Sequence, residues 1–344
     1  MPYKISGTLS DAARIIVLKE SDWSIESNTE ESGASYEVDS LVSGTKFITA
    51  RKVDGEVVAF GLVNPIYYVV YKGYFLGGAS SADSYNTDND EYEPDTWTAK
   101  TSMPNPGRRM TDASTINSKV YIYGGRTAGT SFCDDTDEYS PDIWTQKTDI
   151  PGVDRAVESA TTISDKGYIF GGFYYSGGWK FTQETDEYNP DTWTSKTDTP
   201  GYAGRAASTI SDKGYLYSCD NKISTEEYDP DTWTSKTNMP APARSQIAAS
   251  TISDKGYIFG GDNSGFLKLT EEYSPDTWTS KTDMPSPARG KTAATTINGK
   301  GYVVGGDGGG GETYNNNTDE YDPDTWTSKT DVSPGRFAAS AATI

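Results

Sequence analysis

The 344-residue sequence contains no histidine. Without imidazole there is no Ser-His-Asp or Cys-His catalysis and no histidine-ligated zinc, so several large classes of enzyme are excluded. Cysteine is nearly absent as well, and the two cysteines, Cys133 and Cys219, lie far apart in the sequence. We therefore predict two free, partly packed thiols and no disulfide framework.

Basic residues are too few to balance the acidic ones: 30 Lys and Arg stand against 50 Asp and Glu, which gives a formal net charge of −20. Such a chain repels phosphate backbones and anionic lipid surfaces, so we expect no nucleic-acid partner. Residues 1–7 lack the basic start and apolar run of a secretory signal, and no segment approaches the length of a membrane span. We expect no Sec export and no membrane insertion.

A repeat fills most of the chain. Six times between residues 73 and 344 an apolar run, a variable loop, a Glu-Tyr, a Trp, a Pro and an Arg follow one another, and in all copies but one the apolar run ends in a glycine pair. The repeated tryptophans are Trp97, Trp144, Trp193, Trp233, Trp278 and Trp326. A period of 40 to 49 residues, built from short strands and turns, predicts the blades of a β-propeller.

Each copy divides into four predicted strands. In one copy the small residues 248–252 form the inner strand, and the segments 256–261, around Tyr273 and from Trp278 onwards form the other three. Small side chains suit the crowded axis of a propeller, whereas Tyr and Trp are wide enough to fill the space between blades further out.

The end of the chain predicts how the ring closes. Ile344 follows Arg336 by eight residues, which is the spacing found at the inner strand of other copies. We predict that residues 337–344 complete the first blade, whose other strands begin near Tyr71, because closure removes the free edges of the sheets. In the alternative, residues 66–70 supply this strand and the C-terminus packs elsewhere.

The repeat resembles the kelch repeat in its glycine pairs and in the Tyr and Trp that follow each pair. These pairs are Gly77-Gly78, Gly124-Gly125, Gly171-Gly172, Gly260-Gly261 and Gly305-Gly306. The five-residue step from Tyr to Trp is shorter than the usual kelch spacing, and the fourth copy has Ser218-Cys219 in place of the glycine pair. The resemblance implies an all-β, six-bladed propeller over residues 67–344, without the histidine-dependent copper site of galactose-oxidase-like propellers.

Residues 1–66 lack the repeat. Their short alternating strands and polar turns predict a small antiparallel β-sandwich. The run SYEVDSLVSGTKFITARKVDGEV is similar to carboxypeptidase regulatory-like, or transthyretin-like, domains. That resemblance implies a spacer or an anchor to a protein assembly, with no chemistry attached.

A repeated arginine precedes each predicted inner strand. These arginines are Arg108, Arg155, Arg205, Arg244, Arg289 and Arg336. They either form a positive collar for an anionic ligand or pair with carboxylates of their own or a neighbouring blade. Pairing is favoured, because each copy offers one repeated glutamate at a fixed position: Glu91, Glu138, Glu187, Glu227, Glu272 and Glu320.

The sequence predicts no metal and no cofactor. The Asp-rich loops 86–90 and 134–137 offer oxygen ligands for Ca²⁺ but lack the spacing of a defined calcium loop, so we interpret them as solvated turns. The repeated Ser-Asp-Lys-Gly turns superficially resemble the Asp box of sialidases. Their spacing is different, and they fit polar hairpin connections better.

The second turn of each copy carries the variation. The first and third turns hardly change, whereas the second turn differs in length and content from copy to copy. Variable loops on one face of a rigid scaffold are typical of binding surfaces, although drift of unconstrained loops is the alternative. The predicted ligand-binding residues are the aromatic side chains of one second turn and an arginine outside the repeated register: Phe173, Tyr174, Tyr175, Trp179, Phe181 and Arg126.

These observations predict a non-enzymatic display or recognition module of a larger extracellular or virion-type assembly. The N-terminal domain would attach it to the assembly, and the variable propeller face would bind a protein receptor or a glycan. A secreted or cell-surface adhesin is the alternative. A carbohydrate-active hydrolase that works with Asp, Glu, Tyr and Arg alone stands third. The predicted location is the virion or the extracellular surface.

Overall fold

The structure, a computed structural model, describes residues 71–344 apart from 82–83, 158, 202–205, 220–222 and 309–313, and the backbone of six strands in residues 1–70. The chain forms two compact units, Met1–Val70 and Tyr71–Ile344. The boundary predicted after residue 66, and the alternative inner strand at 66–70, lie outside the described residues. Among the described residues no helix is long and apolar enough to cross a membrane.

The first unit contains two antiparallel sheets. Its strands are β1 Lys4–Thr8, β2 Ala13–Leu18, β3 Ile25–Glu31, β4 Ser35–Asp39, β5 Phe47–Lys52 and β6 Val57–Leu62. β1 pairs with β4, and the other four strands form a sheet in the order β3-β2-β5-β6. The packing of these sheets as a β-sandwich stays a prediction.

The second unit is a six-bladed β-propeller, which confirms the fold predicted from the repeat. Each blade is a four-stranded antiparallel sheet. The strands of blades 1 to 3 are β7 Gly73–Leu76, β8 Asn89–Glu93, β9 Thr96–Ala99, β10 Asp112–Ile116, β11 Lys119–Ala128, β12 Ser131–Ser140, β13 Ile143–Gln146, β14 Ser159–Ile163, β15 Lys166–Tyr175, β16 Trp179–Asn189 and β17 Thr192–Lys196. Those of blades 4 to 6, with the C-terminal strand, are β18 Ala206–Ile210, β19 Lys213–Cys219, β20 Ser224–Asp229, β21 Thr232–Lys236, β22 Ala248–Ile252, β23 Lys255–Phe259, β24 Thr270–Ser274, β25 Thr277–Lys281, β26 Ala293–Ile297, β27 Lys300–Val304, β28 Thr318–Asp322, β29 Thr325–Ser328 and β30 Ser340–Thr343.

The C-terminal strand completes the first blade. β30 pairs antiparallel with β7, from Ser340 opposite Leu76 to Thr343 opposite Gly73, so the order in blade 1 is β30-β7-β8-β9. Beyond this ladder the backbones of Lys72 and Ile344 exchange hydrogen bonds of 2.7 and 3.1 Å. The last strand of the chain is therefore held in the same sheet as the first strand of the propeller.

A closed ring of threonines joins the six inner strands. In each strand one hydroxyl donates to the backbone carbonyl oxygen of the equivalent threonine in the neighbouring blade, at 2.6 to 2.9 Å. The six residues are Thr115, Thr162, Thr209, Thr251, Thr296 and Thr343. The small residues of the inner strands thus allow close approach and also bond neighbouring blades together.

Tryptophans join the blades further out. Each repeated indole Nε1 donates to the carbonyl oxygen of a threonine in the neighbouring blade, at 2.8 to 2.9 Å. Each indole also packs against the repeated Tyr of its own blade, with ring centres 4.7 to 5.0 Å apart. The repeated Tyr and Trp are therefore structural residues that hold the blades in the ring.

The glycine pair is where one blade meets the next. Gly124 has a φ of +51°, and a Cβ built on it would lie 2.5 Å from the carbonyl oxygen of Arg155, at the start of the next blade. The N–H of Gly125 donates to that same oxygen at 2.9 Å. Only glycine satisfies both the positive φ and the close contact.

Five of the six repeated arginines are described, and all five are buried in ion pairs, but their partners differ from the predicted ones. Arg289, for example, pairs with Asp319, the residue before the predicted Glu320. The pairs in the structure are Arg108–Asp137, Arg155–Asp186, Arg244–Glu271, Arg289–Asp319 and Arg336–Asp90. The prediction was wrong by one residue because successive side chains of a strand point to opposite faces. Arg205 lies outside the described residues.

The predicted glutamates accept hydrogen bonds from tyrosine and lysine. Glu187 accepts from the hydroxyl of Tyr168 at 2.5 Å and from Lys166 at 2.8 Å, and Lys196 lies 3.2 Å away. Burial alone would raise the pKa of Glu187, but these hydrogen bonds outweigh burial and lower it. The tyrosine–glutamate bond recurs in all six blades, so the glutamates belong to the scaffold.

Candidate functional site

Two long hairpins project from one face of the propeller. The second turns of all blades lie on this face, and the first and third turns lie on the opposite face. In blades 2 and 3 the second and third strands stay hydrogen-bonded almost to the tip of the second turn. The last pair between β11 and β12 is Ala128 with Ser131, and the last pair between β15 and β16 is Tyr175 with Trp179. In blades 5 and 6 the second strand ends earlier, right before the glycine pair.

The register of the blade-3 hairpin shows which of its aromatic side chains share a face. Phe173 lies opposite Phe181, and Tyr175 lies opposite Trp179. Because alternate residues of a strand point to opposite sides, these four side chains share one face of the hairpin. Tyr174, which lies opposite Lys180, is on the other face and apart from these four side chains, and its predicted role in ligand binding stays a prediction.

Phe132 of the blade-2 hairpin joins these rings. Its ring centre lies 5.7 Å from that of Phe173 and 6.2 Å from that of Trp179. Trp179 is also 5.7 Å from Phe173 and 5.5 Å from Tyr175, and Phe173 is 6.1 Å from Phe181. The aromatic patch, as we call Phe132, Phe173, Tyr175, Trp179 and Phe181, therefore spans two blades.

Phe132 was missed by the sequence analysis. In blade 2 it lies opposite Arg126, as Phe181 lies opposite Phe173 in blade 3. Comparing the second turns of neighbouring copies position by position would have revealed it.

Arg126, the predicted arginine, lies at the edge of the aromatic patch. Its guanidinium carbon is 5.4 Å from the ring centre of Trp179, and its Nε donates to the carbonyl oxygen of Gly129 at 2.6 Å. Its backbone exchanges hydrogen bonds of 3.1 and 2.8 Å with that of Arg109. No carboxylate of the described residues pairs with Arg126, in contrast to the five repeated arginines that the structure describes.

The patch is open to solvent. Tyr175 is 43% exposed, Trp179 49% and Phe181 46%. Large apolar side chains that contact one another and stay half exposed are typical of interaction sites, whereas single exposed ones need no explanation. Three of the five patch residues meet that description.

The channel along the axis is a second concave feature. A cavity of about 460 Å³ is walled by the inner strands, mostly by Thr, Ser and Ala, and Phe173 reaches it from the patch. Asp112 is the one Asp or Glu among the described residues that line the cavity. It accepts the N–H of Ala113 at 2.8 Å and that of Ala160, in the next blade, at 2.7 Å. Burial raises the pKa of Asp112 to about 7.

One group of carboxylates has the geometry to approach a cation. Oxygens of Asp134, Asp135 and Asp149 lie within 4.8 Å of one another, in and near one of the predicted Asp-rich loops. Asp135 also pairs with Arg108 at 3.1 Å, and burial with the nearby carboxylates raises the pKa of Asp134. Exposed acidic groups of this kind are common without an ion, so the cluster alone assigns no metal.

Comparison with known proteins supports the fold. No protein-family model and no curated protein matches the chain. Among solved structures it is similar to the propeller titled "Structure of YjhT", with 15% identity and a TM-score of 0.60, over 77% of this chain and 99% of that chain. At this identity the likeness shows the propeller fold and carries no function.

Proposed function

We propose that the chain is a non-enzymatic recognition module, which binds a protein or a glycan through the aromatic patch on the second-turn face. The observation that carries this proposal is the cluster of half-exposed rings beside Arg126, an arginine that no described carboxylate neutralises. The repeated polar side chains are already used in ion pairs and hydrogen bonds within the propeller. The patch offers apolar rings and a cationic group that these internal contacts leave available to a partner.

The energetics favour this use of the patch. An aromatic side chain buries about 150 to 250 Å² when it is fully covered. Covering the exposed half of one such ring stabilises a complex by about 2 kcal/mol. Three rings on a rigid hairpin can therefore supply hot spots at little cost in conformational entropy.

We further propose that the propeller belongs to a larger virion-type or extracellular assembly, with residues 1–66 as a β-sandwich anchor. The propeller begins at Tyr71, on the face of the first turns, and the aromatic patch lies on the opposite face. The glycine pairs and the tryptophans between blades support the kelch-like assignment of the repeat. In the alternative, a secreted or cell-surface adhesin, the propeller would bind through the same patch but would be attached to a cell surface or secreted instead of belonging to a virion.

The central cavity does not favour the hydrolase alternative. Glycoside hydrolysis generally needs two carboxyl groups that flank the scissile bond. Asp112 stands alone among the described lining residues, and each of its oxygens accepts a backbone N–H. These bonds explain Asp112 as a link between blades 2 and 3.

The proposal is tested by changing one face of the hairpin at a time. Replacing Tyr175, Trp179 and Phe181 together by Ser should weaken binding to ligands selected from a glycan array or a random peptide display library by on the order of a hundredfold. Replacing Tyr174 by Ser is the matched control, since it changes the other face of the same hairpin and should leave binding intact. Both variants should have melting temperatures close to that of the parent protein. Undiminished binding by the folded triple variant would refute the proposal.

A further inference from the structure

We infer that the aromatic patch binds an acidic protein segment that carries apolar side chains. This inference rests on the proposed function and specifies its partner. It follows from two independent observations, which are the angles between the rings of the patch and the charges of the two hairpins.

The rings do not form a flat platform. The interplanar angles between contacting rings of the patch range from 46° to 89°. A sugar ring packs its C–H face on an open, flat aromatic face, and here the guanidinium of Arg126 lies over the ring of Trp179. Rings inclined to one another leave clefts between them, which fit the branched or aromatic side chains of a protein.

The hairpin ends are positive in an acidic molecule. Within residues 126–132 and 173–182 the charged residues are Arg126 and Lys180, with no Asp or Glu, whereas the whole chain carries a formal net charge of −20. Lys180 is on the other face of the hairpin, close enough to add to the local potential. A positive region of this kind attracts acidic partners and repels basic ones.

Arg126 is placed to hold a carboxylate. Its Nε donates to the carbonyl oxygen of Gly129, and its guanidinium carbon lies over the ring of Trp179, so two contacts position the group. No described carboxylate neutralises its charge, so its terminal nitrogens can donate to an incoming Asp or Glu in the two-pronged geometry that arginine favours. An acidic side chain flanked by apolar ones matches this surface.

The test is a selection of peptides by the full-length chain from a random peptide display library. Selected peptides should be enriched in Asp and Glu together with Leu, Ile, Phe or Trp. Their affinity should fall by on the order of tenfold or more in each of the variants Arg126→Glu and Trp179→Ser. Lys268→Glu, the same charge reversal on the second turn of blade 5, and Tyr174→Ser are the controls and should change the affinity less than about twofold.

Three outcomes would overturn the inference. Enrichment of basic or uncharged peptides, equal binding by the folded Arg126→Glu variant, or no enrichment at all would each contradict an acidic protein partner. A glycan probe, such as polygalacturonate, separates the inference from the proposed function. If the glycan binds in a Trp179-dependent way and no peptide does, the recognition function stands and the partner class is wrong. If binding of neither probe depends on the patch, both are wrong.

Discussion

At the scale of single residues, the side chains that repeat are used by the scaffold, and those that break the repeat stand out. Tyr168, Glu187 and Lys166 form one of six equivalent clusters, and their hydrogen bonds hold the pKa of the glutamate below its usual value. Such a carboxylate stabilises the folded protein at neutral pH, and this contribution is lost as the pH falls through its lowered pKa. Asp112 and Arg126 have no equivalent in the other blades.

Asp112 should make the free energy of unfolding depend on pH in the opposite direction. Its pKa is raised from 3.8 to about 7, so the folded state holds the proton more tightly than the unfolded state does. The free energy of unfolding of the parent should therefore fall, relative to Asp112→Ser, as the pH rises from about 4 to about 7. A rise from 3.8 to about 7 corresponds to at most about 4 kcal/mol, and because the Asp112 side chain keeps some contact with solvent at the cavity wall, we expect a change of about 1 to 3 kcal/mol.

Urea unfolding of both proteins at about pH 4.5 and about pH 8 measures this change. Serine is the natural replacement, since Ser159 and Ser340 occupy the equivalent position in blades 3 and 1. A stability difference that stays the same at both pH values would show that Asp112 titrates normally.

At the scale of elements, the blade junctions hold the propeller together, and the second-turn hairpins carry the proposed binding site. The sequence predicted the blades because Gly, Tyr and Trp repeat at positions that the propeller geometry requires. It did not separate Tyr174 from the other aromatic residues, because the second turn was interpreted as a loop, whereas a paired hairpin sends alternate side chains to opposite faces. The threonine ring was not predicted, because hydrogen bonds between blades depend on the register of strands distant in sequence. Phe132 was missed because it lies in another blade.

The glycine pair gives a prediction for the blade junctions. Gly124→Ala should lower the free energy of unfolding by more than about 2 kcal/mol, because the new Cβ adds a clash with the carbonyl of Arg155 to the cost of a positive φ. Gly177→Ala, at the tip of the blade-3 hairpin, is the control: its φ is +66° and nothing lies within 4 Å, so about 1 kcal/mol is expected. Chemical denaturation compares them, and equal losses would argue against the close contact.

At the scale of the whole molecule, stability depends on closing the ring with the last strand. β30 supplies one link of the threonine ring, through the hydroxyl of Thr343, and Phe337 stacks on Tyr314 with ring centres 4.9 Å apart. A propeller that lacks this strand would expose the edge of β7 in the first blade, and exposed edges pair with other chains. The variable hairpins require this closed ring as a rigid base.

Deleting residues 337–344 should lower the free energy of unfolding by several kcal/mol and promote association of the truncated chains. Thr343→Val is the milder comparison, since it removes one hydroxyl from the ring and should cost about 1 kcal/mol. Differential scanning calorimetry and light scattering measure the two effects. A truncated chain that melts like the parent and stays monomeric would rule out this role of β30.

Recognition through the second-turn face is the central claim, and site-specific photocrosslinking in the native source tests it most directly. A photoreactive amino acid would replace Phe181 in the patch or, as the control, Ile143. Ile143 is the first residue of β13, directly after the third turn of blade 2 and therefore at the opposite face, and it is 65% exposed. We predict a discrete crosslinked partner from position 181 and none from position 143. Crosslinking from position 143 with none from position 181 would contradict the account.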